Sequence, residues 1–517
     1  DCSGQGGISY AEFMEVVQFS RSRPNRFDRY SLSTSCASLP ENEPHLVLHF
    51  DVNNTIMMLD TATGADSIKM LGTVFANSAW GVVEEDDEGK PKNWVLKHKD
   101  ISILAPEPGL LTYKEYVDLI HPPDENASKE WNAKEKKARK SLVWTFTDPG
   151  HPGERFRPEL EDMNRALLLP EDVRGTPKAV AAGLQGNMVQ LLPSFLHMLR
   201  ELKTSGRSFT LLFRTFGHDL ELVQKELNAL CEGRHPLFPD DIKLDGSDGE
   251  PDYRMHLGNP GACGTFFRNP ERDDIALIMG TIRQPRNVSE YPTFYEGNQD
   301  ISIIEGPSAV ISKVTELSGQ QRTYALRDYY TAWSSMGLKS RGGKPFFLSW
   351  HDDTTHSIFF DDNITAADPK IVDPINADHW PRRFCNPQLF GVHLVQAQPL
   401  MSIVKKEYFL DCIRDCEAAR RSKLRRWDVA RRLLGDLASV QHVLKSLVAG
   451  TARNEAPGLE RKAFQPWCFS KKVSLATHAG TFDEDCDDDY VTAHITARSR
   501  TVAEFLRDAG QGPLRHA

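Results

Sequence analysis

The sequence has no apolar run approaching the roughly 18 residues of a membrane span. A membrane-crossing helix is therefore not expected. It also has no CxxC pair and no regular cysteine framework: its nine cysteines stand at 2, 36, 231, 263, 385, 412, 416, 468 and 486. Such scatter predicts mostly free thiols in a reducing, intracellular and cytoplasmic setting. Cys412 and Cys416, spaced i, i+4 on an expected helix, read either as a metal pair or, more plainly, as buried or idle thiols. A basic excess is missing too. Lys and Arg number 62 against 72 Asp and Glu, for a net charge of −10, so nothing in the overall charge calls for nucleic acid or an anionic membrane. No GxGxxG, GxxxxGK[ST] or GxSxG stands where a strand–turn–helix would need it, and no internal repeat is visible.

What remains is ordinary globular material. With 517 residues, 40% of them hydrophobic and 26% charged, the chain can bury a core. Its length suggests about three domains, or one large domain with insertions.

The first residues, DCSGQGGISYAEF, have the form of an EF-hand calcium loop. Such loops take oxygen ligands at positions 1, 3, 5, 7, 9 and 12, with Gly at 6 for the turn. Here these are Asp1, Ser3, Gln5, the carbonyl of Gly7, Ser9 and Glu12, with Gly6 at the turn. Only Asp1 and Glu12 are carboxylates, and affinity follows the ligand charge count, so weak calcium binding or none is expected. The incoming helix does not precede Asp1, and the chain reads as a fragment or processed piece. A Gly-rich loop before a short helix is the plainer alternative.

Residues 1–20 are thus expected to be a partial EF-hand, 21–44 a polar linker, 45–410 the main domain, 411–450 a helical extension and 451–517 a polar tail. Within the main domain, LVLHF, SFTLLFRT, DIALIMG, KPFFLSW, HSIFFDDNI and FGVHLVQ predict strands. ADSIKMLGTVFANSAWG, a helix over 179–206 bent at Pro193, HDLELVQKELNAL and QQRTYALRDYYTAWSSMG predict helices. Alternating strands and helices argue for an α/β fold with a mainly parallel sheet. Charged or Gly/Pro-rich stretches mark insertions at about 64–200 and 232–320. The 414–448 segment is a basic amphipathic helix, heptad-like at Trp427, Ala430, Leu434, Leu437, Leu444 and Val448. It could engage a protein partner in a coiled coil, or pack on the domain and leave its basic face solvated.

Three apolar strands end in polar residues: Asp51 after LVLHF, Thr215 after LLFR, and Asp361–Asp362 after HSIFF. In a parallel sheet, ligand sites lie beyond the carboxyl ends of the strands. Two acids and a hydroxyl converging there suit a hard cation and a phosphoryl oxygen.

In these motifs and their order the chain resembles the haloacid-dehalogenase (HAD) superfamily. DVNNT matches its Asp-x-Asp-x-Thr motif in Asp51 and Thr55, LLFRT supplies the strand-end Thr, and IFFDD the paired acids. The resemblance implies a HAD-like Rossmannoid sheet with cap-type insertions and magnesium-dependent phosphoryl transfer from a small phosphorylated substrate or phosphoprotein. It makes Asp51 the nucleophile that forms an aspartyl-phosphate. Asp51, the carbonyl of Asn53, Asp361 and Asp362 would hold magnesium, and Thr215 and Lys344 the phosphoryl group, with Lys339 as second choice for the lysine. The departure is Asn53. Phosphatases of this superfamily usually place there an Asp that gives and takes the leaving group's proton. An amide cannot, and such help is worth about 10²–10⁴-fold, so turnover should be slow.

A rival reading is a calcium-binding regulatory or interaction protein on an inactive HAD scaffold. A third treats the strand-end acids as incidental. Asp60 reads as a turn or helix cap, His49 as a satisfied core histidine, and His351, Asp352, Asp353 and His356 as a solvated turn rather than a metal cluster.

Overall fold

The computed structural model describes residues 43–423, apart from 62, 104, 123, 125, 126, 239–241, 273, 350, 351 and 385. The expected EF-hand loop, nearly all of the linker, most of the basic helix and the polar tail lie outside the described residues.

Thirteen strands are present among them. In chain order they are β1 (His45–Asp51), β2 (Trp80–Glu85), β3 (Pro91–Leu96), β4 (Leu111–Thr112), β5 (Phe209–Thr215), β6 (Cys263–Asn269) and β7 (Asp274–Met279). They continue with β8 (Ser302–Glu305), β9 (Thr323–Arg327), β10 (Lys344–Leu348), β11 (Thr355–Asp361), β12 (Val372–Asn376) and β13 (Leu394–Gln396). Eight of these form the central sheet in the order β13-β11-β1-β5-β9-β6-β7-β8. The pairs from β13 to β6 are parallel, and β7 and β8 extend the edge antiparallel. The fold is therefore mixed α/β, with a mostly parallel central sheet flanked by helices.

β1 lies in the middle, between β11 and β5. A strand there is covered on both faces and must be apolar on both, which is why HLVLHF barely alternates. Leu46, Leu48 and Phe50 pack with Phe195 and Leu199 of the helix Pro193–Thr204 and with Phe409. Val47 faces the opposite layer, where Leu212 meets Val310, Val314 and Leu317 of the helix Pro307–Ser318. Phe50 is edge-on to Phe195 at 5.0 Å and stacked on Phe360 at 4.7 Å. Burying one such aromatic contributes roughly 1.5–3 kcal/mol.

Residues 80–144 form a three-stranded antiparallel sheet, β3-β2-β4, with the helices Tyr113–Ile120 and Lys129–Trp144. Thr112 and Glu115 close a reciprocal capping box at the first of these helices. This layer shares the main core through Trp94, Tyr113 and Val117.

Four expectations need correction. QQRTYALRDYYTAWSSMG is not one helix: Thr323–Arg327 is a central strand and only Tyr330–Ser335 is helical. A short buried apolar run carries no period that separates strand from helix. The continuous helix over 179–206 is broken as well. Helix Pro177–Ala181 ends before Gly183, whose φ of 85° is left-handed, and Pro193 opens the next helix at its first turn, where a missing N–H is harmless. The helix read over ADSIKMLGTVFANSAWG covers only Ser67–Ala76, and Trp80 already begins β2. Finally, β6, β7 and β8 continue the central sheet, so 232–320 is not a body apart from it.

No helix among the described residues is long and apolar enough to cross a membrane. Residues 408–423 are helical. This start of the basic segment is tied to the domain by Arg207–Glu417 and by Arg420 donating to the Asp352 carbonyl.

Candidate functional site

Asp51, Thr215 and Asp361 are the last residues of β1, β5 and β11, three neighbouring parallel strands. The register places Phe50 against Phe360, so Asp51 and Asp361 leave the sheet side by side. Lys344 comes from the separate β10–β12 pair. Its Nζ donates to Asp51 Oδ1 at 2.5 Å, to Asp361 Oδ2 at 2.7 Å and to the Arg214 carbonyl at 3.4 Å. Lys344, and not Lys339, thus holds the two acids together. Lys344 and Asp361 are wholly buried and Asp51 is 7% exposed.

Among the described residues, the group of His, Cys, Asp and Glu side chains placed to share an ion is Asp51, Asp361 and Asp362, with carboxylate oxygens within 4.8 Å of one another. Asp361 Oδ1 accepts from the Asn363 backbone N–H at 2.9 Å and its side-chain amide at 3.2 Å. Asp362 Oδ1 accepts from the same amide at 2.9 Å. Burial lifts the Asp51 carboxyl to about 7; Lys344 draws it down and Asp361 pushes it up. Burial, then Asp361 and Asp51, push Asp362 well above the usual carboxylate range. Burial opposes the Lys344 ammonium, yet Asp361, Asp51 and Asp328 outweigh it and hold its pKa above the ordinary lysine value.

The charges do not balance. Ionised together, the three carboxylates would leave two negative charges beside one ammonium, and the raised Asp51 and Asp362 carboxyls show burial resisting that. The adjoining Arg214–Asp328 pair, closed at 2.6 and 3.0 Å, is itself neutral and buried. Isolated buried charge is expensive, and two positive charges among hard oxygen donors would relieve it. Nearby, Asn54 Oδ1 and Thr55 Oγ1 are buried without hydrogen-bond partners. Donor chemistry and charge both fit a divalent, oxygen-seeking cation.

Asn53 is pinned. Its Nδ2 donates to the Leu59 carbonyl at 2.6 Å and to Asp219 Oδ2 at 2.9 Å. Thr61 Oγ1 donates to the other Asp219 oxygen. With both amide protons used, Asn53 Oδ1 faces Gly217. A Cβ on Gly217 would lie 3.4 Å from that oxygen, 3.3 Å from Thr215 Oγ1 and 3.4 Å from Asp219 Oδ2. Thr215 Oγ1 accepts from the Gly217 N–H at 2.9 Å. These residues open onto a cleft of about 750 Å³ that Asp51, Asn53, Thr215 and Asp362 line together with residues of the helix Lys129–Trp144.

Sequence reasoning misses Asp219, Gly217, the Arg214–Asp328 pair and Arg327. Asp219 stands four residues after Thr215, which is the signal available. Arg327 ends, and Asp328 follows, the strand whose sequence reads as helix. The remaining polar residues behave structurally. His49 is buried against Phe346 and Phe359. Asp60 accepts from Thr63 in a turn. Asp352 caps Thr354 and Thr355, and His356 is buried with Nε2 on the Val392 carbonyl. His351 lies outside the described residues. The Cys412 and Cys416 thiols are pushed up by burial. Comparison with protein-family models, curated proteins and solved structures found no match for this chain.

Proposed function

We propose that the cleft is a HAD-type, magnesium-dependent phosphoryl-transfer site working through an aspartyl-phosphate on Asp51, with slow completion of the cycle. The observation that carries this reading is the cluster of buried Asp51 and Asp361 with half-buried Asp362 at the ends of adjacent parallel strands, bridged by buried Lys344 beside Thr215. Asp51, Asp361, Asp362 and the carbonyl of Asn53 would hold magnesium, which when bound supplies neutralising charge for the phosphoryl oxygens.

The chain's own residues divide the rest. Asp51 attacks phosphorus, the ester P–O bond breaks, and the leaving oxygen departs with the electron pair. Lys344 favours the ionised form of Asp51 against burial and aims it, and Thr215 offers a hydroxyl to the transferred group. Asn53 presents an amide oxygen, which accepts a hydrogen bond but cannot carry a proton. The leaving group therefore departs unprotonated, which favours phenolate-like leaving groups. The same amide can orient water for hydrolysis of the aspartyl-phosphate without activating it.

The test is release of p-nitrophenol from p-nitrophenyl phosphate, with magnesium and with chelator. Slow, magnesium-dependent turnover that disappears in Asp51→Asn is expected. Turnover that survives in Asp51→Asn, or that ignores the chelator, would sink the proposal. Gly217→Ala offers a finer check. The methyl enters between Thr215 Oγ1 and Asn53 Oδ1 without a left-handed φ to strain. Its kcat/KM should fall by on the order of 10–100-fold while its Tm stays within a few degrees of wild type.

Asn53 also keeps alive the reading of a binding or regulatory protein on an inactive HAD scaffold. Its hydrogen bonds to Leu59 and Asp219 suit an arrangement that holds a phosphoryl group without releasing it. A burst of p-nitrophenol that stops at one equivalent per chain, with the phosphoryl group retained on Asp51 and no phosphate released, is the outcome that favours this second reading.

A further inference from the structure

The cleft is lopsided in charge. The sheet ends supply Asp51 and Asp362, other elements bring Lys114, Lys136, Arg139 and Lys140 together with Asp60 and Asp118, and Arg327, in register with Thr215, completes the lining. Lys114 and Arg139 are answered by Asp118, at 2.9 and 3.8 Å. Among the described residues Lys136, Lys140 and Arg327 have no carboxylate within ion-pair distance.

The contacts of these three are to neutral groups. Arg327 is paired in register with Thr215 across β5 and β9. Its guanidinium donates to the carbonyls of Phe216 and Ile282 and to His218 Nε2 at 3.0–3.3 Å. These bonds fix its direction and leave its charge unanswered. Lys136 Nζ donates to Tyr330 Oη at 3.4 Å, and Tyr330 packs edge-on to Phe216 at 5.7 Å. The helix Lys129–Trp144 is thereby tied to the residue that follows Thr215. Lys140 lies over the Trp144 ring at 5.7 Å. Burial and the charge of Lys136 lower its pKa, with only partial relief from Asp60. Lys136 is exposed at the rim, but Lys140 and Arg327 are partly removed from water, where like charges are unfavourable unless an anion visits them.

Size points the same way. A cleft of about 750 Å³ is in the range of sites for whole small molecules, and one phosphoryl group occupies only a corner of it. We infer that the ligand is a small phosphate ester whose alcohol part carries a second anionic group, phosphate or carboxylate, bound by Lys136, Lys140 and Arg327 while the transferred phosphoryl sits at Asp51 and Thr215. This rests on the proposed function for the position of the first phosphoryl.

Alkane-α,ω-bisphosphonates of three to six carbons, compared with alkyl monophosphonates of equal length, test it by calorimetry on the full chain with magnesium. Their P–C bonds are not transferred, so binding is read without turnover. At least one bisphosphonate should bind tenfold or more tightly than its monophosphonate. The advantage should shrink as sodium chloride rises from about 0.05 to 0.5 M, as screening requires. In Lys136→Gln/Lys140→Gln, which removes two charges on one helix without touching the core, the ratio of the two affinities should fall toward one. No preference at any chain length, or a preference that the double variant leaves intact, would overturn the inference. Preference without p-nitrophenyl phosphate turnover would count against phosphoryl transfer and leave the second anion site standing. Turnover without preference would count against the second anion site alone.

Discussion

Exchanging Asn53 and Asp219 together, as Asn53→Asp/Asp219→Asn, should raise phosphatase turnover by on the order of 10²–10⁴-fold, the usual worth of a positioned general acid–base. Asn53→Asp alone should gain far less. In the single variant the new carboxylate replaces an amide whose nitrogen lies 2.9 Å from Asp219 Oδ2 and 2.6 Å from the Leu59 carbonyl. Two carboxylates at that distance cannot both ionise and come to share one proton. The proton then belongs to the buried pair rather than to the leaving group, and the folded state loses roughly 1–3 kcal/mol near neutral pH. Asp219→Asn reverses the bond, with the new amide at position 219 donating to the new carboxyl group at position 53. The Leu59 carbonyl then favours the protonated form of that carboxyl group, which is the form a general acid needs. Rate–pH profiles of the wild type, both single variants and the double variant with p-nitrophenyl phosphate decide the matter. If Asn53→Asp alone matches the double variant, Asp219 places no restraint on position 53.

The second large effect concerns stability. The folded-state pKa of Asp51 stands at about 7 against an ordinary 3.8, and Asp362 is raised as well. Between those values the folded chain holds protons that the unfolded chain has released. Their stabilising contribution is complete below about 3.8 and is lost as pH rises through about 7. In linkage terms it is on the order of a few kcal/mol. His356, His393 and His197 are kept neutral chiefly by burial, with folded-state values of about 2, 4 and 4, and they act in the opposite direction. The comparison is therefore between wild type and Asp362→Asn, in which the histidines cancel.

In chelator, Asp362→Asn should be the more stable of the two, and its advantage should grow from pH 4 to pH 7. With magnesium, the wild type should gain about 2.7 kcal/mol at a concentration 100 times Kd, and Asp362→Asn should gain much less. Denaturant unfolding at both pH values, with and without magnesium, measures all of these quantities. A wild type equally stable with magnesium and with chelator, or an Asp362→Asn protein less stable than wild type in chelator at pH 7, would contradict the charge imbalance.

Much of this site is legible in the chain. LVLHF, LLFR and HSIFF are apolar on both faces because both faces are covered, and each ends in a polar residue that a buried strand would not otherwise carry. Asp51, Thr215 and Asp361–Asp362 stand out for that reason, and Asn53 stands out against the motif around it. TYALR does not declare itself a strand. Its state is decided by hydrogen bonds to β5 on one side and β6 on the other, and both partners are distant in sequence. With that strand go Arg327 and Asp328.

By itself, then, the sequence determined which strand ends carry acids and a hydroxyl, and that position 53 cannot move a proton, because these follow from local pattern and side-chain chemistry. Only the tertiary structure decided that Lys344 bridges Asp51 and Asp361 and that Asp219 holds Asn53. It alone brought Lys136 and Lys140 into the cleft that Asp51 and Asp362 line. The bridging and holding contacts join residues 17 to 293 positions apart, and a local pattern carries no information about which distant groups share a dielectric-poor pocket, where charge has its greatest effect.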